Sequence, residues 1–425
     1  MSKEKIELFD TDASSPADPT FLAWLEDHRE KHLDFYQGGA ICPGGGISWL
    51  DDRGMPLDEK GFQQWLSSRM IHVFSIASML GREDADQVVE HGLDFYVDGP
   101  GHDDTYGGWF PIVGSDDPSD AKELYGLAHM LLAGSSATQA GFSRGPAMMN
   151  EALDIIDRYY WDDGLGRGVE SYDRTFTELD PYRGQNANMH LTEAYLAAYE
   201  ATGNRLYLER ATRIAKFIAG RAVLSAPEVD APWRLPEHFD SEWTPVPDHN
   251  IDDKAHPFRP YGTQVGHWLE WAKLCTQIHD FGVDEPWLIP TAELLFQKSI
   301  EEGWAENGGF AYTLDWDGNP VVPERYFWIV AEGIGAANAL FQATGDQYYL
   351  DWYKTLWQFA YDNFVDHENG SWYSELDEAN EPTAVTWTGK PDPYHVYQAT
   401  LYPLMPRGVG LAQWAHDVKA ARTAQ

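Results

Sequence analysis

The sequence contains only two cysteines, Cys42 and Cys275, among its 425 residues. They are far apart and form no Cys-x-x-Cys pair, a pattern typical of a protein in a reducing compartment. No apolar run approaches the roughly 20 residues that a membrane-spanning helix needs. Residues 1–19 are polar and lack the basic and apolar regions of a signal peptide. We therefore predict a cytoplasmic protein that does not associate with a membrane, with a disordered leader over residues 1–19.

Basic residues are also scarce, because 30 Lys and Arg face 68 Asp and Glu for a net charge of −38. Nucleic acids and anionic membrane surfaces require clustered positive charge, so this balance excludes them as partners. It weakly disfavours strongly anionic substrates as well. The acidic residues are most simply explained as a solvated surface around a neutral site.

Several catalytic and cofactor motifs are missing too. The sequence has no HExxH pair, no Walker A loop and no GxGxxG fingerprint. One acidic group with a histidine, 237–240 (EHFD), is too little to indicate a metal site. We therefore expect no metal and no nucleotide cofactor. Paired carboxylates for glycoside hydrolysis stay possible in principle, although no two stand out by local context.

Apolar residues at helical spacing dominate the chain, for example in 62–74 and 191–199. The segment 201–208 (ATGNRLYL) is repeated as 343–350 (ATGDQYYL), in each case between two helical patterns. Glycine is typical of a helix end, and Asn or Asp of the next helix start. Gly/aromatic turns, which resemble tight hairpins, recur at 106–109, 308–310 and 370–372. Repeated helix pairs predict an all-α closed double ring over residues 20–415, built as one domain.

Two histidines lie in polar, aromatic-rich runs: His267 in 266–271 (GHWLEW) and His395 in 389–395 (GKPDPYH). Imidazole titrates near neutrality, so such a pair suits proton transfer on a small polar molecule. Glu270 follows His267 by three residues, a helical spacing at which it can orient the ring or contact the same ligand. The alternative is that each histidine is an ordinary core or surface residue.

Two pairs of residues four apart carry further candidates. Asn186 and His190 project from one helix face, where an amide and an imidazole match sugar hydroxyls. Trp65 and Arg69 place an indole beside a guanidinium, which suits stacking on a sugar ring and a hydrogen bond to its oxygen. A capping Asn with a surface His, and an Arg beside a core Trp, are the alternatives for the two pairs.

The ordered motifs resemble the N-acylglucosamine 2-epimerase superfamily from about Trp24 to Arg407. They are 186–190 (NANMH), 256–262 (HPFRPYG), 266–271 (GHWLEW) and 394–395 (YH). Three further runs resemble the branch of mannose and sulfoquinovose isomerases: 237–240 (EHFD), 369–372 (NGSW) and 387–392 (WTGKPD). The resemblance implies an (α/α)6 barrel with a sugar pocket at one end and no metal or cofactor.

The resemblance also implies roles for individual residues. His395 would remove the proton from carbon 2 of an open-chain aldose, and His267 would assist ring opening and proton movement at the sugar oxygens. Arg69 would hold the oxyanion of the resulting enediolate. The implied substrate contacts are Asn186, His190, Glu270, Arg259 and the aromatic residues Trp65, Tyr125, Trp328 and Trp387.

Within this superfamily we expect an aldose–ketose isomerase that interconverts mannose and fructose. Pro257 stands where relatives carry a basic residue, so a grip of Arg259 on a sulfonate is doubtful and neutral mannose is favoured over sulfoquinovose. The alternatives are a sugar 2-epimerase, a sulfoquinovose isomerase and a non-catalytic carbohydrate-binding toroid. The expected partner is a monosaccharide, and the protein is expected to be a monomer or a homodimer.

Overall fold

The computed structural model describes residues 7–10, 13–42, 45–116 and 118–424. Its helices alternate between an outer and an inner ring. The outer helices are α1 (Pro19–Gly39), α3 (Ala85–Val97), α5 (Gly145–Ile155), α7 (Arg205–Ile218), α10 (Leu288–Lys298) and α12 (Gln347–Phe359). The inner helices are α2 (Gln64–Met79), α4 (Leu124–Ala140), α6 (Gln185–Thr202), α9 (Val265–Asp280), α11 (Phe327–Thr344) and α13 (Tyr394–Leu401).

The inner ring is closed. Each inner helix packs against the next one along the chain, and α13 returns to contact α2, while each outer helix packs against one inner helix. This is the closed double ring expected from the repeats, and its six inner and six outer helices make it the (α/α)6 barrel that the family resemblance implies. Two further α-helices lie in the described part of the chain, the single-turn α8 (Arg221–Leu224) and the 13-residue α14 (Leu411–Thr423).

Inner and outer helices differ in how much of their surface is buried. The inner helices are surrounded on all sides, so in α2 every residue from Gln64 to Ala77 is buried. The outer helices bury one stripe each, as α7 does with Leu208, Ala211, Ile214 and Ile218. An apolar stripe at 3.6-residue spacing suits a helix covered on one side only.

The repeated ATG segments mark helix boundaries as predicted. Gly203 and Gly345 follow α6 and α11 with φ angles of 70° and 72°, in the left-handed region that glycine adopts without strain. Asn204 and Asp346 then cap α7 and α12 by accepting backbone N–H groups through their side chains.

Short antiparallel strands decorate one end of the barrel. They are β1 (Phe62–Gln63), β2 (Ile112–Val113), β3 (Lys122–Glu123), β4 (Trp161–Asp162), β5 (Arg167–Gly168), β6 (Ser171–Tyr172), β7 (Arg183–Gly184), β8 (His238–Phe239), β9 (Thr263–Gln264), β10 (Thr313–Leu314), β11 (Pro320–Val322), β12 (Arg325–Tyr326), β13 (Glu375–Leu376) and β14 (Pro382–Thr383). The pairs are β1–β2, β3–β6, β4–β5, β7–β8, β9–β10–β11 and β12–β13–β14. A strand leads directly into five of the inner helices, α2, α4, α6, α9 and α11. These hairpins therefore fix where the amino-terminal ends of the inner helices lie.

The same aspartate hydrogen-bond pattern recurs in the turns at the strand-bearing end of the barrel. Asp51, Asp173, Asp240, Asp315 and Asp377 each accept the backbone N–H groups of the residues two and four positions later. Aspartate is common in such turns because its short carboxylate satisfies the local backbone. The Gly/aromatic turns form separate bridges, His102 with Trp109, Trp304 with Phe310 and Val365 with Trp372.

The chain before α1 was predicted to be a disordered leader. Within its described part, Leu8 is buried, Phe9 stacks on Phe21 of α1, and Ala13 accepts a hydrogen bond from Lys354 of α12. Residues 1–6 and 11–12 lie outside the described residues, and the division into a leader and one domain over 20–415 stays a prediction. Among the helices described, none has the length and apolar character needed to cross a bilayer.

Candidate active site

The inner helices share a register at their amino-terminal ends. Their second residues are Trp65, Tyr125, Asn186, Gly266, Trp328 and His395, and the sixth residues of the first five are Arg69, His129, His190, Glu270 and Glu332. Residues four apart lie on one helix face, and the closed ring turns that face inward. Six helix amino termini also face this end of the barrel, and their partial positive charge favours an anion there.

Eight of these eleven residues, all except His129, Gly266 and Glu332, line a cavity of about 640 Å³ that is open to solvent. Every predicted site residue except Arg259 lines it. The lining residues are Trp65, Arg69, Tyr125, Asn186, His190, Pro257, Phe258, Gln264, His267, Glu270, Tyr312, Phe327, Trp328, Ser374, Trp387, Pro391, Asp392 and His395. The fold thus brings together side chains separated by more than 300 positions in the sequence.

Arg259 lies outside the cavity, which differs from the prediction of a substrate contact. Its guanidinium lies over the ring of Tyr182, 4.0 Å from the ring centre. The preceding residue, Phe258, faces the cavity instead. Successive side chains of an irregular, extended segment point to different sides, so a motif match over 256–262 could not fix which one reaches the substrate.

His395 is oriented by a buried carboxylate. Its Nδ1–H donates to Glu332 Oε1 at 2.7 Å, and the other carboxylate oxygen of Glu332 accepts from Lys273 Nζ. All three side chains are at most 7% exposed. Burial lowers the pKa of His395, since the charged imidazolium loses its hydration, although Glu332 opposes this. The neutral ring therefore offers Nε2 to a molecule in the cavity.

Lys273 keeps Glu332 ionised. Burial alone would raise the pKa of Glu332, but the lysine and the hydrogen bond to His395 lower it, and the net direction is down. Burial lowers the pKa of Lys273, but Glu332 raises it and the net direction is well up, so the ammonium also stays charged. Both groups are missing from the sequence-based site.

His267 has a different partner. Its Nδ1–H donates to Glu237 Oε2 at 2.8 Å, and Glu237 also accepts from the backbone N and the side-chain Nε2 of Gln264, at 3.0 and 3.1 Å. Of the two roles predicted for Glu270, orienting this ring falls to Glu237, whereas contact with the same ligand stays a prediction. Glu237 lies just before β8, outside the helix that carries His267, so helical spacing could not reveal it.

Trp328 lies between the two histidines. Its ring centroid is 5.6 Å from that of His267 and 5.8 Å from that of His395. Gly266 permits this position, because a Cβ there would lie 2.3 Å from the indole. The indole face and two imidazole rings thus border the same part of the cavity, an arrangement that suits a sugar ring between proton-transferring groups.

Arg69 is held by three partners. Its guanidinium donates to His129 Nε2 at 3.0 Å, to Tyr125 Oη at 3.2 Å and to Asp392 Oδ2 at 3.3 Å. His129 donates its own Nδ1–H to the Tyr125 carbonyl, and its pKa is well below the usual value because of burial and the adjacent Arg69. The guanidinium is therefore fixed and charged, as a group that stabilises an oxyanion must be.

A second group of polar side chains consists of His190, Glu193 and Glu270. His190 Nδ1 is 3.8 Å from Glu193 Oε2 and 3.8 Å from Glu270 Oε1. Neither His190 Nδ1 nor Glu270 Oε1 has a hydrogen-bond partner within the described part of the chain. Burial, helped by Glu332, raises the pKa of Glu270 well above its usual value, and burial lowers that of His190 to about 4. Burial thus favours the neutral form of both side chains, and both have atoms ready for a hydroxyl.

The same three residues are also spaced as a metal site would require. One ligand atom from each of His190, Glu193 and Glu270 can lie within 4.8 Å of the others. One imidazole and two carboxylates suit a divalent cation as well as they suit sugar hydroxyls. The prediction of no metal therefore remains open to a direct measurement.

Comparisons with known proteins bear on the chain as a whole. The family model for N-acylglucosamine 2-epimerase matches residues 45–399. A protein of Thermobifida fusca named D-mannose isomerase is 44% identical over 92% of this chain and 96% of its own length. A cellobiose 2-epimerase of Ruminococcus albus is 28% identical over 83% of this chain and 90% of its own. A crystal structure of a D-mannose isomerase superposes with a TM-score of 0.83 at 32% identity, covering 93% of this chain and 99% of that one.

Proposed function

We propose that this chain, which belongs to the N-acylglucosamine 2-epimerase family, interconverts D-mannose and D-fructose without a metal ion. An isomerase acting on sugars is already established by relatives that are named D-mannose isomerase and share 34–44% identity over most of the chain. The choice of mannose rests on those relatives and on the cavity. The choice of isomerisation over epimerisation rests on the same relatives, and the proton transfers are assigned to the two histidines.

One observation carries the mechanism: each histidine has its Nδ1 engaged by a glutamate and lines the cavity with its other nitrogen free for substrate. A neutral Nε2 is a competent general base. We assign His395 to removal of the proton from carbon 2 of the open-chain aldose. The same imidazolium then returns a proton to carbon 1, which converts the aldose into the ketose through a cis-enediolate.

His267 acts on oxygen in this proposal. It assists opening of the sugar ring and moves the proton between the oxygens of carbons 1 and 2. Trp328 lies beside both imidazoles and would keep the substrate carbons between them. Holding reacting groups in place in this way accounts for a large part of such a rate enhancement.

Arg69 stabilises the negative charge that develops on the enediolate oxygen. Three hydrogen-bond partners hold its guanidinium in place before substrate arrives, so little reorganisation is needed in the transition state. The amino termini of the inner helices act in the same direction. The proposal therefore contains a base, an acid and an oxyanion site among the residues of the chain.

A neutral sugar fits this cavity better than a sulfonated one. Among its lining residues, all of which lie in the described part of the chain, Arg69 is the only Lys or Arg, and it is already paired with Asp392. Arg259, the other candidate for an anionic group, lies outside. Asn186, His190 and Glu270 would bind the remaining hydroxyls. We place the whole activity in one domain, residues 20–415.

The test is proton NMR of the purified protein with mannose in deuterated water, after chelation and a measurement of bound metal. We expect fructose as the first product, with any solvent deuterium at carbon 1. Glucose labelled at carbon 2 as the first product would instead assign a 2-epimerase. Loss of turnover on chelation, restored by one added metal, would show that His190, Glu193 and Glu270 hold a cation and overturn the metal-free reaction.

A further inference from the structure

The exposure of the lining residues shows where the cavity opens. Pro257 and Phe258 are exposed, Phe258 by 37%, whereas the other lining residues are buried or partly buried. Both residues belong to the irregular segment between β8 and β9. A substrate therefore enters, and any part of it that does not fit protrudes, beside the ring of Phe258.

Phe258 meets three aromatic side chains at this opening. Its ring centroid lies 5.4 Å from that of Trp387, 5.8 Å from that of Tyr125 and 6.1 Å from that of Trp65. The interplanar angles are 64–88°, which is the edge-to-face arrangement preferred by aromatic pairs. These four rings come from four separate parts of the chain and narrow the opening from different sides.

The backbone around Phe258 is held in place. The carbonyl of Pro257 accepts from Tyr312 Oη at 3.3 Å, and His256 Nδ1 accepts the backbone N–H groups of Phe258 and Arg259 at 3.2 and 3.1 Å. Asn250 Nδ2 donates to the carbonyl of Arg259 at 2.6 Å. Phe258 is thus a fixed part of the opening, although its side chain is partly exposed to solvent.

We propose that Phe258 limits the substrate to a single sugar ring, by occupying the space that the second ring of a 4-linked disaccharide would need. The inference rests on the proposed function, because it names the substrate size of that same site. A bulky group placed against an unwanted ligand is a common source of specificity. The fold itself does not set this limit, since a relative named cellobiose 2-epimerase aligns over 83% of this chain.

The test compares Phe258→Ala with the parent protein, using cellobiose and β-1,4-mannobiose as probes. Binding is followed by the fluorescence of the tryptophans at the opening, and turnover of mannose is measured in the presence of each disaccharide. We expect no measurable binding of either disaccharide by the parent up to the highest concentration tested, and a Kd of Phe258→Ala for at least one of them about tenfold or more below that concentration. The KM for mannose should rise several-fold, since the variant loses one wall of the cavity.

Two variants sharpen the result. Phe258→Leu should gain less disaccharide affinity than Phe258→Ala, and Tyr348→Ala, which removes a 38% exposed ring from outer helix α12, should gain none. Disaccharide binding by the parent, or no gain in a folded Phe258→Ala, would overturn the inference. The binding arm does not depend on turnover, so a protein that fails to isomerise mannose would refute the proposed function while still reporting on Phe258.

Discussion

The two histidines of the site have the same local geometry but different electrostatic support. In each case Nδ1–H donates to a buried glutamate, at 2.7 Å for His395 and 2.8 Å for His267. The glutamate behind His395 is paired with a buried lysine, whereas the one behind His267 is held by the neutral donors of Gln264. The hydrogen-bond geometry is the same for both rings. We therefore expect the charged groups behind them, a lysine in one case and none in the other, to separate their roles.

In the proposed mechanism the lysine matters most for His395, the ring that takes a proton from carbon 2. Proton removal from carbon 2 requires a neutral His395 and an ionised Glu332, and Lys273 favours the second condition. Glu270 in the same barrel differs, because burial and Glu332 raise its pKa on balance although Lys273 and Arg69 act to lower it. The contrast leads to four predictions, which test whether the His395 side is more sensitive than the His267 side.

The largest effect is expected for His395→Gln. Loss of a general base costs about 10²–10⁴ in rate, and we expect the upper part of this range because no other imidazole is assigned to carbon 2. His267→Gln should lower kcat less, by about 10²-fold, since proton movement at oxygen can use water. Exchange of the carbon 2 proton with deuterated solvent, followed by NMR, should disappear in the first variant and persist in the second.

Folding is checked for both variants by thermal unfolding, with His72→Gln as a buried histidine that lines neither this cavity nor its opening. Carbon 2 exchange that survives in His395→Gln but is lost in His267→Gln would reverse the two assignments. Equal losses of exchange would show that the lysine does not distinguish the rings.

Lys273→Met is expected to lower kcat/KM by about 10²-fold near neutral pH. Without the ammonium, the Glu332–His395 pair, which already holds the Nδ1 proton, takes up a second proton at a higher pH. That proton binds Nε2 of His395 and blocks the base. The acid limb of the kcat/KM profile should therefore move to higher pH, and activity should recover partly as the pH rises. A pH profile over the acid limb measures this shift.

Lys122→Met is the matched control, because Lys122 is a buried lysine paired with Asp103 at 3.0 Å and does not line the cavity. Breaking such a pair lowers the free energy of unfolding by about 3–5 kcal/mol without moving the pH profile. Lys273→Arg should restore the limb toward its original position. A Lys273→Met enzyme that is merely less stable, with an unmoved profile, would assign the lysine a structural role only.

The sequence predicted much of this arrangement through helical spacing. The pairs Trp65/Arg69 and Asn186/His190 line the cavity together, as residues four apart on an inward helix face should. The same spacing, applied to every inner helix, would also have found Tyr125/His129 and Trp328/Glu332. An alignment of the inner-helix sequences that follow the short strands would have shown Glu332 at the same position as Arg69 and His190. It would thereby have indicated Glu332 as part of the site.

Other site residues carry no such local signal. Glu237 and Phe258 lie on irregular segments, and their distance from His267 or from Trp65 depends on how the whole ring closes. Lys273 lies on the same helix as Glu270, but its partner Glu332 comes from the neighbouring helix. Arg259 is the converse case, because the motif predicts a substrate contact whereas its side chain lies over Tyr182 and outside the cavity.

Gly266→Ala should weaken catalysis through Trp328, with both histidines intact. The added Cβ would lie 2.3 Å from the indole and force it to move. A small displacement of a positioning group can cost roughly 10–100-fold in kcat/KM. Gly333→Ala, on inner helix α11, places its Cβ 3.1 Å from a flexible Leu356 methyl group and serves as the control. Steady-state kinetics with normal activity in Gly266→Ala would show that Trp328 does not position the substrate.

The smallest effect is expected for Glu237→Gln, about tenfold or less in kcat/KM. The amide oxygen can still accept Nδ1–H of His267, so the ring keeps its tautomer, but one of the two donors of Gln264 loses its acceptor. Glu332→Gln makes the same chemical change behind His395 and leaves Lys273 buried beside a neutral amide, so its loss should exceed that of Glu237→Gln by about tenfold or more. Steady-state kinetics of the two variants at one pH give this ratio directly. A ratio near one would mean that the two glutamates act only as hydrogen-bond acceptors, and the asymmetry between the histidines would then have to come from the position of the substrate.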